Sequence, residues 1–308
     1  MKFGPLAVAV GLILAVPGGP VSAADSSPIV VSSKIDTEGA LLGNIVWVLL
    51  GDRGLPIENK ISLGPTRIVR SAILANQIDL YPEYTGNGAF FFLKESDPEW
   101  RDPAKSFEKI RALDRDANGL SWIAPAPADN GWGIAIRKEL AEGQNIRTLE
   151  DFARYINEGG RIKLAASIEF VDSPAALPAF EQTYGFHLSQ HQLLALAGGD
   201  TAATIRASAE GTDGVNATMA YGTDGAIASL GLVLLKDTKH AQILYQPAVI
   251  VRTPVLEKHP EIAEILTPVF ASLTIETLQQ LNARIAVNGE DAGTVATAYL
   301  ASRGFIRR

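Results

Sequence analysis

An α/β fold is what this sequence predicts, and three observations predict it. Short β-rich runs alternate with amphipathic helical stretches along the chain. Aromatic and polar residues gather just after the strand candidates, where open α/β sheets collect ligands. At 308 residues the chain is also long enough for two domains or one large one.

The elements follow in order. Ile29 to Ser32 is a strand candidate, and the nearly all-apolar Leu41 to Leu50 predicts a buried helix. Leu63-Gly64-Pro65-Thr66 reads as a turn that supplies Thr66 as a helix N-cap. Ile68, Val69, Ala72 and Ile73 then recur at helical spacing, which places one face on the core. Ile78 to Tyr81 predicts a short strand, followed by a loop with Pro82, Gly86 and Gly88.

Pro125-Ala126-Pro127 predicts a crossover between lobes, because proline restricts both itself and the residue before it. Trp132 to Ile136, Ile162 to Ala166, Val215 to Ala220 and Ala248 to Val251 read as strands. Ala175 to Tyr184 and Thr201 to Ala209 read as helices, the second opened by Gly198-Gly199-Asp200. Ile275, Leu278, Leu281 and Ile285 keep a period near 3.6 and predict a late helix ending at Asn288-Gly289.

Composition narrows the function. The formal net charge of -7 provides no broad cationic field for nucleic acid or an anionic bilayer. Lys2, the apolar run Leu6 to Val16 and the small residues Ser22, Ala23 and Ala24 form the pattern of a secretory signal over residues 1–24. Its apolar run is too short to span a bilayer. The chain has no cysteine, which excludes a lipidated cysteine, a disulfide framework and a thiol nucleophile. The expectation is a free periplasmic protein.

No catalytic set emerges. The four histidines, His187, His191, His240 and His259, fall in no recognisable catalytic motif. His187 and His191 are four apart and would share a helix face, and the bland reading is a polar solvent-facing surface. No Walker loop or G-x-G-x-x-G follows a strand. No cofactor and no metal are expected.

The loops carry more information. Tyr81-Pro82-Glu83-Tyr84-Thr85-Gly86-Asn87, Asp129-Asn130-Gly131-Trp132, Ala220-Tyr221-Gly222-Thr223-Asp224-Gly225 and Tyr245-Gln246-Pro247 each set aromatic beside polar residues. Any one such tyrosine is more often a core residue with its hydroxyl satisfied, and periodicity alone does not unite the four segments.

A resemblance does. Ser33-Lys34-Ile35-Asp36-Thr37-Glu38-Gly39-Ala40-Leu41-Leu42-Gly43-Asn44 and Asp79-Leu80-Tyr81-Pro82-Glu83-Tyr84-Thr85-Gly86-Asn87-Gly88 resemble the first lobe of osmoprotectant-binding proteins of ABC importers, of the OsmF/YehZ type. The likeness continues through Pro125-Ala126-Pro127, Leu196-Ala197-Gly198-Gly199-Asp200-Thr201, Ala220 to Gly225 and Gln280-Leu281-Asn282. It implies a two-lobed type II periplasmic-binding-protein fold, with a hinge and the ligand in the cleft between lobes. Lobe 1 would comprise residues 28–128 and 242–308, and lobe 2 residues 129–241.

The resemblance also implies an aromatic box for a trimethylammonium group. Tyr84, Tyr221 and Tyr245 stand where the family places box tyrosines, Trp132 where many members have a further tyrosine, and Lys34 in the family's Ser-Lys segment. For a ligand carboxylate the candidate donors are Lys34, Thr85, Asn87, Thr223 and backbone N–H groups at a helix N-terminus. Asp224 could add a distal negative charge, although capping a turn is its simpler role. The sequence departs from the pattern at Asp172-Ser173-Pro174-Ala175, where many relatives carry Arg-x-Asp, and Asn87 replaces a common threonine.

The implied ligand is a quaternary-ammonium osmolyte such as glycine betaine, delivered by a monomeric protein to an ABC permease. Choline or a non-quaternary solute is the alternative. An exported hydrolase with paired carboxylates and a sensory domain are the rivals from other classes.

Overall fold

The computed structural model describes residues 27–196 and 201–307, with Met1 and Gly4. The signal-like segment and the Gly198-Gly199-Asp200 opening of the following helix lie outside the described residues. The α/β expectation is met by two five-stranded sheets.

Sheet one holds β1 (Ile29–Lys34), β2 (Ile57–Gly64), β3 (Leu80–Tyr84) and β4 (Leu120–Ile123). It also holds the late strand β10 (Pro247–Arg252), in the order β2-β1-β3-β10-β4. Sheet two holds β5 (Trp132–Arg137), β6 (Leu164–Ser167), β7 (Leu193–Leu196), β8 (Ala217–Tyr221) and β9 (Leu232–Leu234), ordered β7-β6-β8-β5-β9. In each sheet one strand runs against its neighbours: β10 is antiparallel to β3 and β4, and β5 to β8 and β9.

Each sheet is covered on both faces. Along β10, Val249 and Val251 enter one core with Leu41, Ile45 and Leu49 of the helix Thr37–Asp52, whereas Ala248 and Ile250 enter another with Trp100 and Trp122. That is the period-2 alternation of a strand buried on both sides. Sheet two does the same, with Phe152, Phe170 and Phe180 on one face and Ile205 of the helix Thr201–Glu210 on the other.

Several local expectations need correction. β2 was not anticipated: Ile57-Glu58-Asn59-Lys60-Ile61-Ser62 is mostly polar because this strand is an exposed sheet edge. Leu63 and Gly64 belong to it rather than to a turn. The N-cap of the helix Thr66–Leu74 is Pro65, with no side-chain cap hydrogen bond, so Thr66 is helical and not the cap. Within this helix Val69, Ala72 and Ile73 are buried, but Ile68 is exposed.

The strand expected over Ile78 to Tyr81 lies two residues later, and Pro82 sits inside it. β1 pairs with β3 only at Val31 and Leu80, so no ladder on that side demands an N–H from Pro82. Residues 124–131 leave sheet one for sheet two, and residues 235–246 return. The crossovers are tied together: Ala126 N–H donates to Pro247 O at 2.8 Å and Asn130 N–H to Tyr245 O at 3.0 Å.

Candidate functional site

Between the sheets lies a cavity of about 600 Å³. Its wall includes Lys34, Tyr84, Asn87, Trp132, Tyr221, Thr223 and Tyr245, so these seven side chains come to one place. Asp224 lines it as well, while Thr85 is buried and donates its hydroxyl to Leu244 O at 3.0 Å.

Sheet one contributes the end of β1 and the end of β3. Lys34 closes β1, and its ammonium forms an ion pair with Glu83, which is fully buried. Glu83 also accepts from Tyr84 N–H (2.8 Å), the Asn87 amide (2.7 Å) and the Tyr81 hydroxyl (3.2 Å). Lys34 and Asn87, two candidate carboxylate donors, therefore already have an internal carboxylate as partner. The Lys34 ammonium also rests over the Tyr84 ring, 4.3 Å from its centroid.

Beyond β1, Asp36 caps the helix Thr37–Asp52 by accepting from Gly39 N–H at 2.8 Å. This fixes the first turn and turns Glu38 into the cavity, buried. Glu38 Oε1 accepts the Tyr84 hydroxyl at 2.7 Å, Oε2 accepts the Asn282 amide at 2.6 Å, and Thr223 adds a side-chain hydrogen bond. Burial pushes the Glu38 carboxyl up to about 7, against those three hydrogen bonds, which favour the ionised form.

Sheet two contributes the paired ends of two strands. Trp132 begins β5, Tyr221 ends β8, and the two are directly opposite in the antiparallel ladder. The Trp132 ring is held edge-on by Phe170, with centroids 6.0 Å apart. Asp224 closes the following turn by accepting Tyr221 N–H at 2.8 Å.

That turn is docked on the helix Ile275–Ala286. Gln279 donates to Gly222 O at 2.8 Å and Asn282 to Thr223 O at 2.9 Å. The approach is so close that a Cβ on Gly225 would sit 2.1 Å from Ala283 N, and one on Gly222 2.0 Å from Asp129 O. Only glycine fits at either position.

The returning crossover supplies Tyr245, whose N–H donates to Asp129 Oδ1 at 2.7 Å. Burial raises the hydroxyl pKa of Tyr84, Tyr221 and Tyr245 alike, so the rings meet the cavity as neutral phenols.

Glu38, Asn282, Asn130 and Asp36 also line the cavity without having been singled out. An acid in the first helical turn reads as an ordinary complement to the helix dipole, which hides Glu38. Asn282 is the reverse case, a polar position on the buried side of an otherwise amphipathic helix. His187 and His191 share no helix: the first pairs with Glu181 after the helix Leu177–Tyr184, and the second lies in a 3₁₀ turn. Ser173 ends the helix Ile168–Asp172. Among the described residues no cluster of three or more His, Cys, Asp or Glu could hold a metal ion, and no helix is long and apolar enough to cross a membrane.

Comparison with known proteins places this geometry in context. The family described as the substrate binding domain of ABC-type glycine betaine transport systems matches residues 27–302. The chain is 54% identical over 296 residues to the glycine betaine-binding protein YehZ of Escherichia coli, covering 96% of each sequence. It is 29% identical to a glycine-betaine-binding protein of Pseudomonas aeruginosa, over 88% of this chain and 86% of that one. The solved structure of apo YehZ superposes with a TM-score of 0.86 at 55% identity, covering 91% of this chain and 99% of the other. The two-lobed fold is thus that of solved periplasmic binding proteins.

Proposed function

We propose that this chain, which belongs to the family of substrate-binding domains of ABC-type glycine betaine transport systems, captures a small quaternary-ammonium solute of the glycine betaine type and presents it to an importer's permease. The observation that carries this reading is the convergence of Tyr84, Trp132, Tyr221 and Tyr245 on one cavity from both sheets and a crossover.

A quaternary ammonium has no proton to donate or to lose, so neither hydrogen bonds nor a pKa shift ease its burial. Aromatic faces are the partners left to it, each worth roughly 0.5–2 kcal/mol when desolvated, with Trp the best. Four such faces at the upper end of that range sum to about 8 kcal/mol, which is micromolar-scale affinity before the cost of closure. In this reading lobe 1 is residues 28–128 and 242–308, lobe 2 is residues 129–241, and the crossovers are the hinge. Ligand stabilises the closed form by binding it more tightly than the open one. The protein acts as an exported monomer in the periplasm, after removal of residues 1–24.

Choline is the second reading, because the Glu83 carboxylate already occupies Lys34 and Asn87 and Ser173 stands where relatives carry arginine. A calorimetric panel of glycine betaine, proline betaine, choline, carnitine and ectoine separates the two. Tyr221→Ala and Tyr245→Ala should each weaken the solute that binds. Unchanged affinity in both variants excludes the aromatic box.

A further inference from the structure

Glu38 is the charged group of the cavity that the ring enclosure leaves without a task. Its carboxylate is buried, yet its hydrogen-bond partners, Tyr84, Thr223 and Asn282, are all uncharged. The cation next in line, Lys34, is committed to Glu83. A buried carboxylate with three donors and, among the described residues, no ion-pair partner is poised between two protonation states: the donors favour the ion and burial opposes it.

Its surroundings are specific. Asp36 precedes it at the helix cap and disfavours ionisation, Tyr84 faces it from β3, and Lys34 and Glu83 form their own pair on β1 and β3. From the turn after β8 come Thr223, which hydrogen-bonds it, and Asp224, which shares its cavity wall. The helix Ile275–Ala286 presents the uncharged Asn282. Trp132, Tyr221 and Tyr245 complete the same wall, so a cation enclosed by the rings shares one cavity with this carboxyl.

We propose that Glu38 is the countercharge of this site, and that enclosing a quaternary-ammonium headgroup expels the Glu38 proton to solvent. This rests on the cavity being a cation socket. A fixed positive charge that cannot itself titrate favours the carboxylate, and by reciprocity the carboxylate favours the cation. Affinity then rises with pH. The resting carboxyl titrates near pH 7, so the response falls between pH 6 and 8. In binding the headgroup, ionised Glu38 keeps its grip on Tyr84 from β3 and on the Thr223 turn that carries Tyr221, so it also positions two of the rings.

Isothermal titration of the whole protein with glycine betaine at pH 6, 7 and 8 tests the proposal, using at each pH two buffers of different ionisation heat. The expected result is affinity rising about fivefold or more from pH 6 to 8, with about half a proton released per ligand at pH 7. Glu38→Gln, which keeps acceptor capacity for Tyr84, should bind with a flat pH profile and no proton release. None of the four histidines lines the cavity, so their titration predicts no difference between the two proteins. Tight binding with no proton release and equal affinity at pH 6 and 8 overturns the role of Glu38 and leaves the socket standing. A Glu38→Gln protein that retains the slope overturns it too. If no quaternary-ammonium solute binds at any pH, the socket itself is wrong. The proton count on the unaltered protein decides the matter should the variant fold poorly.

Discussion

Asp129 Oδ1 accepts the backbone N–H of Tyr245 at 2.7 Å and that of Gly131 at 2.9 Å, so a single carboxylate oxygen pins the outgoing crossover to the returning one. The pin lies directly behind a ring of the cavity. Asp129→Ala leaves both N–H groups unmatched, at a cost of roughly 1–3 kcal/mol each if they stay dry. The expected outcome is a lower melting temperature together with weaker solute binding, because Tyr245 loses its anchor. Asp129→Asn keeps an acceptor at that oxygen and should lose less of both. Differential scanning calorimetry and titration on the two variants check this.

Glu38 predicts how stability depends on pH. Its carboxyl titrates at about 7 when folded and near 4.5 otherwise. A carboxyl whose folded value is the higher one contributes its stability fully below the unfolded value and loses it as pH rises through the folded value. Ligand-free protein should therefore lose stability between about pH 4.5 and 7, by on the order of 3 kcal/mol from this group. Glu38→Gln should be the more stable protein at pH 8, and the difference should vanish below pH 4.5. Chemical denaturation across that range measures it.

Gly225 makes the turn after β8 fit the helix Ile275–Ala286. Gly225→Ala puts a methyl group into the Ala283 backbone, so the turn must lift away with Thr223 and Tyr221. Affinity should fall by about tenfold or more, the equivalent of 1.4 kcal/mol. Melting should fall as well, since Ile227 two residues on belongs to the core around Ile205, and Leu278 and Leu281 of the helix belong to the core around Leu41. Retained affinity would mean that the turn's seat on this helix has no part in capture.

A buried pair that does not line the cavity provides the opposite case. Arg70 holds Asp114 through two hydrogen bonds of 2.7 and 2.6 Å, and Trp122 Nε1 donates to the same carboxylate at 2.7 Å. Asp114→Ala strands a buried guanidinium and should cost about 3–5 kcal/mol of folding stability. Below its melting point the variant should bind solute normally.

Much of the site was readable because its rings sit at strand ends, where turn residues punctuate the sequence. Tyr221-Gly222-Thr223-Asp224-Gly225 announces its turn, and Asp224 does close it. The resemblance then joined segments that no local pattern connects. What escaped notice was pairwise and long-range. That Trp132 and Tyr221 are opposite one another follows from a ladder register, not from spacing. Glu38 and Asn282 lie 244 positions apart, and each looks ordinary in its own helix. β2 escaped because an edge strand carries polar residues on both faces, and β3 was misplaced because Pro82 reads as a breaker where no partner strand asks for its N–H.

The late position of Asn282 has a consequence for biogenesis. The pocket's wall draws on β1 at one end of the chain and on the helix Ile275–Ala286 near the other. A polypeptide emerging from a translocation pore N-terminus first would have displayed Tyr84, Trp132 and Tyr221 long before Asn282 arrives to seat the Thr223 turn. Such a partial chain would carry three of the rings without the clasp. On the proposal that the chain is exported, solute retention would be a property of the finished molecule alone.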